Sequence, residues 1–228
     1  METEIAHKIK EIDRKLEGTG ANLVAVSKFH PAQAIQDAYD AGQRIFGESR
    51  VQELLEKVPL LPSDIQWHFI GHLQTNKVKA LIPHVSLIES IDSERLLSLV
   101  DRESEKAGKT TRVLMQVHIA QEETKTGFLP SELLDYFKAR KFETLKATHI
   151  CGVMGMATNT DDSERILADF HAIRGIFDEI KSLCPDLRGF DTVSMGMSGD
   201  WPLAVECGST LVRIGTAIFG ERDYSQKQ

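Results

Sequence analysis

Short, β-branched apolar runs recur along this chain, each followed by a stretch of helical period. That alternation constrains the fold more than any other feature. The first run is LVAVSK at 23–28, and the others fall near 44–47, 67–71, 85–91, 112–119, 149–154, 189–194 and 210–214. Pro31 begins the first intervening helix at a position where its missing N–H costs little, and Gly42 ends it. Further helices are expected near 49–57 and 75–82, and from the Ser93 cap to Gly108. Ser131 is read as the cap of a helix carrying Leu133, Leu134 and Phe137. Asp161, Asp162 and Ser163 open the longest helix, whose apolar stripe is Ile166, Phe170, Ile173, Phe177 and Ile180. One more amphipathic helix precedes all of this, with Ile5, Ile9, Ile12 and Leu16 on one face.

Eight strands, each followed by a helix or tail, predict an α/β protein built as a single (β/α)₈ TIM barrel with an extra N-terminal helix. The expected domain is the whole of residues 1–228, slightly short of the about 250 typical of such barrels. An open doubly wound sheet would place a Gly-rich turn after its first strand, where this chain has Ser27-Lys28-Phe29-His30. Its Gly18-Thr19-Gly20 precedes the strand, so the dinucleotide-binding fingerprint fails on context.

Composition narrows the partners. A net charge of −7 argues against nucleic acid or an anionic membrane surface, both of which reward clustered Lys and Arg. Cys151, Cys184 and Cys207 are far apart, odd in number and without C-x-x-C spacing, which disfavours a disulfide framework or a zinc site. No apolar run approaches the roughly 18 residues that span a bilayer, and the charged N-terminus lacks a signal-peptide core. A cytoplasmic address is the simplest expectation. His68 and His72 are four apart, but Gly71 interrupts them and no H-E-x-x-H accompanies them. His68 is therefore read as a hydrogen-bonding histidine, and no metal is expected.

In a barrel of this kind the reactive groups sit where strands end at the C-terminal face. Lys28 closes the first run with the same pleat parity as Val24 and Val26, so it faces the interior if they do. Apolar surroundings disfavour its ammonium form and leave an amine able to attack a carbonyl. Position alone leaves equally open a lysine that projects into solvent past the strand end. The far end of the chain adds weight to the first reading. The seventh strand is followed by Ser194-Met195-Gly196-Met197-Ser198-Gly199-Asp200, and the eighth ends in Arg213-Ile214-Gly215-Thr216. Both segments lie where such barrels bind phosphate. The N–H groups of Gly215 and Thr216 and the hydroxyls of Ser194 and Ser198 suit a dianion, though the glycines also suit simple tight turns. A lysine opposite a phosphate cradle suggests a phosphorylated aldehyde held as a Schiff base, and pyridoxal 5′-phosphate (PLP) meets both requirements. Met154, Met156, Met195 and Met197 flank glycines near strand ends, where they fit a cofactor ring or simple core filling equally well.

The stretches VAVSK, FGESRVQE, WHFIGHLQTNK, SMGMSGD and STLVRIGTAIFG resemble the YggS/PROSC family of PLP-binding homeostasis proteins over nearly the whole chain. The resemblance implies a barrel of the alanine racemase N-terminal type, with PLP as an internal aldimine on Lys28. It further implies that Ser194, Ser198, Gly215 and Thr216 surround the phosphate, that Arg213 approaches the pyridine nitrogen, and that Asn76 lies on the cofactor side. Ser49-Arg50 stands where the family often has Asn-Tyr, which puts a contact from Ser49 in doubt.

Two functions fit such a protein. One is a carrier acting in PLP (vitamin B6) and amino-acid homeostasis without an established reaction, which the resemblance favours. The other is a PLP-dependent amino-acid racemase. Racemisation needs a second acid–base group on the opposite face of the substrate. Tyr39 and Tyr136 read as helical, Tyr224 lies in the tail, and the chain stops before any second domain of the alanine racemase type. A cation at Arg213 beside the pyridine nitrogen also weakens the electron sink. A phosphosugar aldolase using Lys28 is a third possibility, distinguished by the lack of a bound chromophore. The expected partner is PLP alone, with no nucleic acid, membrane or identifiable protein partner, and the expected state is a monomer.

Overall fold

The computed structural model describes residues 3–119 and 126–221. Its core is a closed barrel of eight parallel strands in sequential order, β1 (Asn22–Val26), β2 (Ile45–Glu48), β3 (Gln66–Phe69), β4 (Leu87–Ile91), β5 (Thr111–Gln116), β6 (Thr148–Met154), β7 (Thr192–Met197) and β8 (Leu211–Ile214). β8 pairs with β1, which closes the sheet and leaves no edge. The helices are α1 (Glu4–Leu16), α2 (Ala32–Asp40), α3 (Val51–Lys57), α4 (Val78–Leu81), α5 (Glu94–Ala107), α6 (Pro130–Lys138), α7 (Ser163–Leu183), α8 (Trp201–Glu206) and α9 (Thr216–Phe219). The expected α/β barrel with its additional N-terminal helix is the observed fold.

Helix starts and stripes follow from local chemistry. Ser93 accepts from the Leu96 N–H, and Asp162 accepts from the N–H groups of Glu164 and Arg165, so α5 and α7 begin where their capping residues predict. All five residues of the predicted α7 stripe are buried. α6 starts one residue before the expected cap: Pro130 takes the first turn, and the Glu132 carboxylate accepts from the Leu129 N–H. The segment 75–82 holds a 3₁₀ turn over Thr75–Lys77 and only a short α4 before Pro83 sustains a second 3₁₀ turn.

Pleat alternation sorts the strand residues into two apolar populations. Leu23 and Ala25, Phe46, Trp67 and Phe69, Ile88, Val113 and Met115, Val193, and Val212 and Ile214 join the helices in one large cluster. Val24, Leu87, Leu114, Cys151, Met154 and Leu211 form a second, smaller cluster that plugs the barrel. Two residues further along β4 and β8 on that inner parity stand Glu89 and Arg213, so the filling turns polar toward the C-terminal end.

Two strand boundaries differ from the sequence expectation in ways that matter for the site. β1 stops at Val26, and Lys28 lies in the turn after it. β7 runs over Thr192–Met197 instead of 189–194, with an irregular register against β8 between Ser194 and Met197 and Gly196 in the left-handed region at φ +94°. Ser194 is therefore a mid-strand residue facing the barrel interior, in register with inward Leu211, and not part of the loop that follows. Proximity to glycines and hydroxyl residues had suggested a loop, but the open face of the barrel begins only at Ser198.

The exits of β2 and β3 touch so closely that a side chain cannot intervene. A Cβ on Gly71 would sit 2.1 Å from the Ser49 carbonyl oxygen. Gly71→Ala is expected to destabilise the fold by about 3 kcal/mol or more, because backbone must move to relieve the overlap. Urea unfolding of the variant and the parent protein measures this directly.

Candidate functional site

The C-terminal end of the barrel interior holds a buried polar group assembled from four strands. Glu89 of β4 is fully buried, and its Oε1 lies 2.7 Å from His68 Nδ1 of β3. Its Oε2 accepts from the Ser194 hydroxyl of β7 at 2.5 Å. Arg213 of β8 donates from Nη1 to Ser194 Oγ and from Nη2 to the Gly155 carbonyl at 3.0 Å, with Nη1 also 3.8 Å from Glu89 Oε2. Burial by itself raises a carboxyl's pKa. Here the hydrogen bond and charge of His68, the charge of Arg213 and the Ser194 hydroxyl outweigh it and hold Glu89 below its usual range. Burial likewise lowers Arg213, opposed by the charges of Glu89 and Asp200. A buried cation paired to a carboxylate and a carbonyl is thus fixed in direction as well as in charge. The sequence expectation that His68 serves a hydrogen bond agrees with this geometry.

Above this layer the strand exits converge. Ser198 follows the last residue of β7, and Gly215 follows β8 as the residue preceding α9. The Gly215 N–H donates to Ser198 Oγ at 3.2 Å. The first N–H groups of a helix have no intrahelical acceptor, and in α9 these belong to exposed Thr216 and Ala217. A Cβ on Gly215 would meet the Val26 carbonyl oxygen at 3.1 Å, so this end of β8 lies directly against the end of β1. Lys28, half-buried, is two residues past that point. His30 stacks on Phe219 of α9 with ring centroids 5.2 Å apart, which ties the Lys28 turn to the same short helix.

The structure therefore brings Lys28, Ser198, Arg213, Gly215 and Thr216 to one end of three neighbouring strands, β1, β7 and β8, with Ser194 below them beside Arg213. Asn76 stands apart. It is exposed on the 3₁₀ turn of Thr75–Lys77, in a cleft shared with Arg95 of α5, and no hydrogen bond among the described residues joins it to the others. Met154 belongs to the inner plug and Met195 to the outer core, while Met197 is exposed. Ser49 and Arg50 border a cleft with His72 and Lys77, and the Arg50 guanidinium lies 5.9 Å over the Phe29 ring. Tyr39 donates to Asp64, just before β3 and hence at the opposite end of the barrel. Tyr136 is buried on α6, and Tyr224 lies outside the described residues.

Two features escaped the sequence reading. Glu89 was hidden in an apolar run, although a carboxylate on the parity of Leu87 and an arginine on the parity of Leu211 were the available signal. The second is Glu48, the last residue of β2, fully buried on the outer side of the sheet near α3.

These features coincide with clear relationships. The family model for the alanine racemase N-terminal domain matches residues 2–223. A pyridoxal phosphate homeostasis protein of Pasteurella multocida is 38% identical over 227 residues, covering 97% of this chain and 94% of the relative. The chain belongs to the pyridoxal phosphate homeostasis protein family. The solved structure of PipY from Synechococcus elongatus PCC7942 with PLP bound superposes with a TM-score of 0.87 at 36% identity. The match covers 95% of this chain and 100% of PipY. Alanine racemase from Corynebacterium glutamicum shares the fold, with a TM-score of 0.75 at 14% identity over 99% of this chain and 63% of the racemase.

Glu48 supplies a test of the electrostatics beside this site. Burial pushes its carboxyl up to about 7, against the charge of Lys57. The folded state thus keeps a proton that the unfolded state has released, and stability falls as pH rises from the ordinary carboxylate range toward 7. Glu48→Gln lacks that loss. Between pH 5 and 7.5 its stability relative to the parent is expected to improve by about 2 kcal/mol. Urea unfolding of both proteins across that range reads the difference, and a constant gap would show that Glu48 does not titrate there.

Proposed function

We propose that this chain binds PLP covalently through Lys28 and acts in intracellular PLP and amino-acid homeostasis, without a catalytic reaction of its own. The observation that carries the reading is the PLP-bound PipY structure, which matches nearly the whole of this chain at 36% identity. The Pasteurella relative, a pyridoxal phosphate homeostasis protein, points the same way.

The donor set fits the group. A phosphate dianion suits the unpaired N–H groups at the start of α9 and the Ser198 hydroxyl, in a corner where a Cβ at position 215 would crowd the Val26 backbone at 3.1 Å. Arg213 would face the pyridine nitrogen as a fixed cation, which discourages protonation there. Ser194 would orient Arg213, since its hydroxyl lies between that guanidinium and Glu89. When bound, PLP supplies an aldehyde for amine capture and an electron sink for carbanions. An arginine in place of a carboxylate at the ring nitrogen keeps that sink weak, which limits carbanion chemistry without forbidding a racemase. Among the described residues neither Tyr39 nor Tyr136 stands near the lysine turn to serve as a second base.

We further infer a single domain over residues 1–228, acting as a monomer in the cytoplasm with PLP as its small-molecule partner. The buried, unpaired state of Cys151, Cys184 and Cys207 supports a reducing compartment. No helix among the described residues is long and apolar enough to cross a membrane.

Lys28→Ala is the decisive variant. It should fold with parent-like circular dichroism and lose the visible absorbance of the lysine-linked cofactor, along with borohydride-fixed PLP on the Lys28 peptide. Unchanged absorbance would refute attachment at Lys28. On the same samples, chiral chromatography after incubation with L-amino acids should detect no sustained formation of D-isomers. Multiple turnovers that vanish in Lys28→Ala would make the racemase the better reading.

A further inference from the structure

Lys28 is flanked on both sides by backbone that α3 holds in place. On one side, the Ser27 carbonyl accepts from Lys57 Nζ at 2.9 Å, and the Ser27 hydroxyl donates to Glu48 Oε1 at 2.7 Å. On the other side, the Phe29 N–H donates to Glu53 Oε1 at 2.5 Å. The two attachments are joined, because Lys57 Nζ also donates to Glu48 Oε1 and Glu53 Oε1, each at 2.7 Å. An ammonium has three protons, and all three are used here. Lys57 is buried, so its charge is secured by these partners and not by water.

The backbone they hold is one that a free chain disfavours. Phe29 lies in the left-handed region at φ +66°, uncommon for a bulky side chain and maintained only where surroundings enforce it. Ser27 keeps the strand's alternation and points outward to Glu48, and the chain leaves the pleat only after it, turning toward α9, where His30 stacks on Phe219. The direction in which Lys28 leaves the barrel wall is thus set between α3 and α9.

We propose that Lys57 and Glu53 are positioning residues for cofactor attachment, holding the Ser27–Phe29 turn so that the Lys28 amine meets a ligand anchored at α9. This rests on the reading of Lys28 as the attachment residue. The linkage forms a carbon–nitrogen double bond as the aldehyde oxygen leaves as water, so its equilibrium depends on where the amine is held. Phosphate anchoring draws on β7, β8 and α9, and does not need α3.

The two steps separate experimentally. 4′-Deoxypyridoxine 5′-phosphate has the ring and phosphate of PLP but no aldehyde, so its affinity reports anchoring alone. In Glu53→Ala, which removes the acceptor for the Phe29 N–H, the affinity for PLP should fall at least about tenfold, while that for the deoxy analogue stays within about threefold. Glu53→Gln keeps an acceptor and should retain most of the PLP affinity and the absorbance of the linked cofactor. Equal losses for both ligands in Glu53→Ala would show a merely structural role and overturn the proposal, as would parent-like PLP binding. Should Glu53→Ala fail to fold, Glu53→Asp, which keeps the charge but shortens the reach, is judged by the same two affinities. Loss of linkage in Lys28→Ala with parent-like binding in the Glu53 variants would sink this proposal alone. Retention of linkage in Lys28→Ala would remove the attachment reading and this inference with it.

Discussion

Arg213 stands inside the barrel, and the low polarity of that interior dictates what surrounds it. An uncompensated guanidinium there would cost several kcal/mol, so a carboxylate must come within reach from another strand. Glu89 does so from β4, across the interior from β8, and the remaining lone pairs and protons are taken up by Ser194, His68 and the Gly155 carbonyl. Five residues from different parts of the chain are thereby placed with respect to one another. The barrel below is filled by aliphatic and sulfur-containing side chains, so the polar layer has no alternative partners in that direction.

That layer forms the floor of the candidate site, and the strand exits form its rim. β1 and β8 are neighbours because the barrel closes between the first and last strands. Closure alone brings residues 28 and 215, nearly the length of the chain apart, to one corner. The site thus combines a rigid, fully bonded interior with short turns held from outside by helices, through Glu53 and Lys57 on one side and Phe219 on the other. Fixed dipoles and charges of this kind bind and orient a ligand without reorganising.

Much of this was legible in the residues. The eightfold alternation predicts the closed barrel because a parallel strand pair needs a crossover helix, and eight such units complete a ring. The α7 stripe and the caps at Ser93 and Asp162 follow from helical period and side-chain reach. Strand limits were less legible. Ser194 looked like a loop residue because Gly196 and Ser198 are turn-forming types, yet the strand continues through a left-handed glycine by shifting its register against β8. Lys28 looked like the end of a strand because its parity matched, but pairing ends at Ser27, whose N–H still donates to the Gly47 carbonyl while its own carbonyl is taken by Lys57.

The sequence by itself determined the class of fold, the order of its elements, and the grouping of Lys28, Ser198, Arg213, Gly215 and Thr216 at strand ends, because periodicity and turn chemistry act over a few neighbouring residues. Only the tertiary structure decided which buried charges meet. Glu89 and Arg213 are 124 residues apart, and Glu48 of β2 and Glu53 and Lys57 of α3 meet Ser27 and Phe29 only when β2 pairs with β1 and α3 packs at its exit. Their pairing depends on barrel register and helix placement. Those are set by the packing of the whole core, which no local pattern encodes.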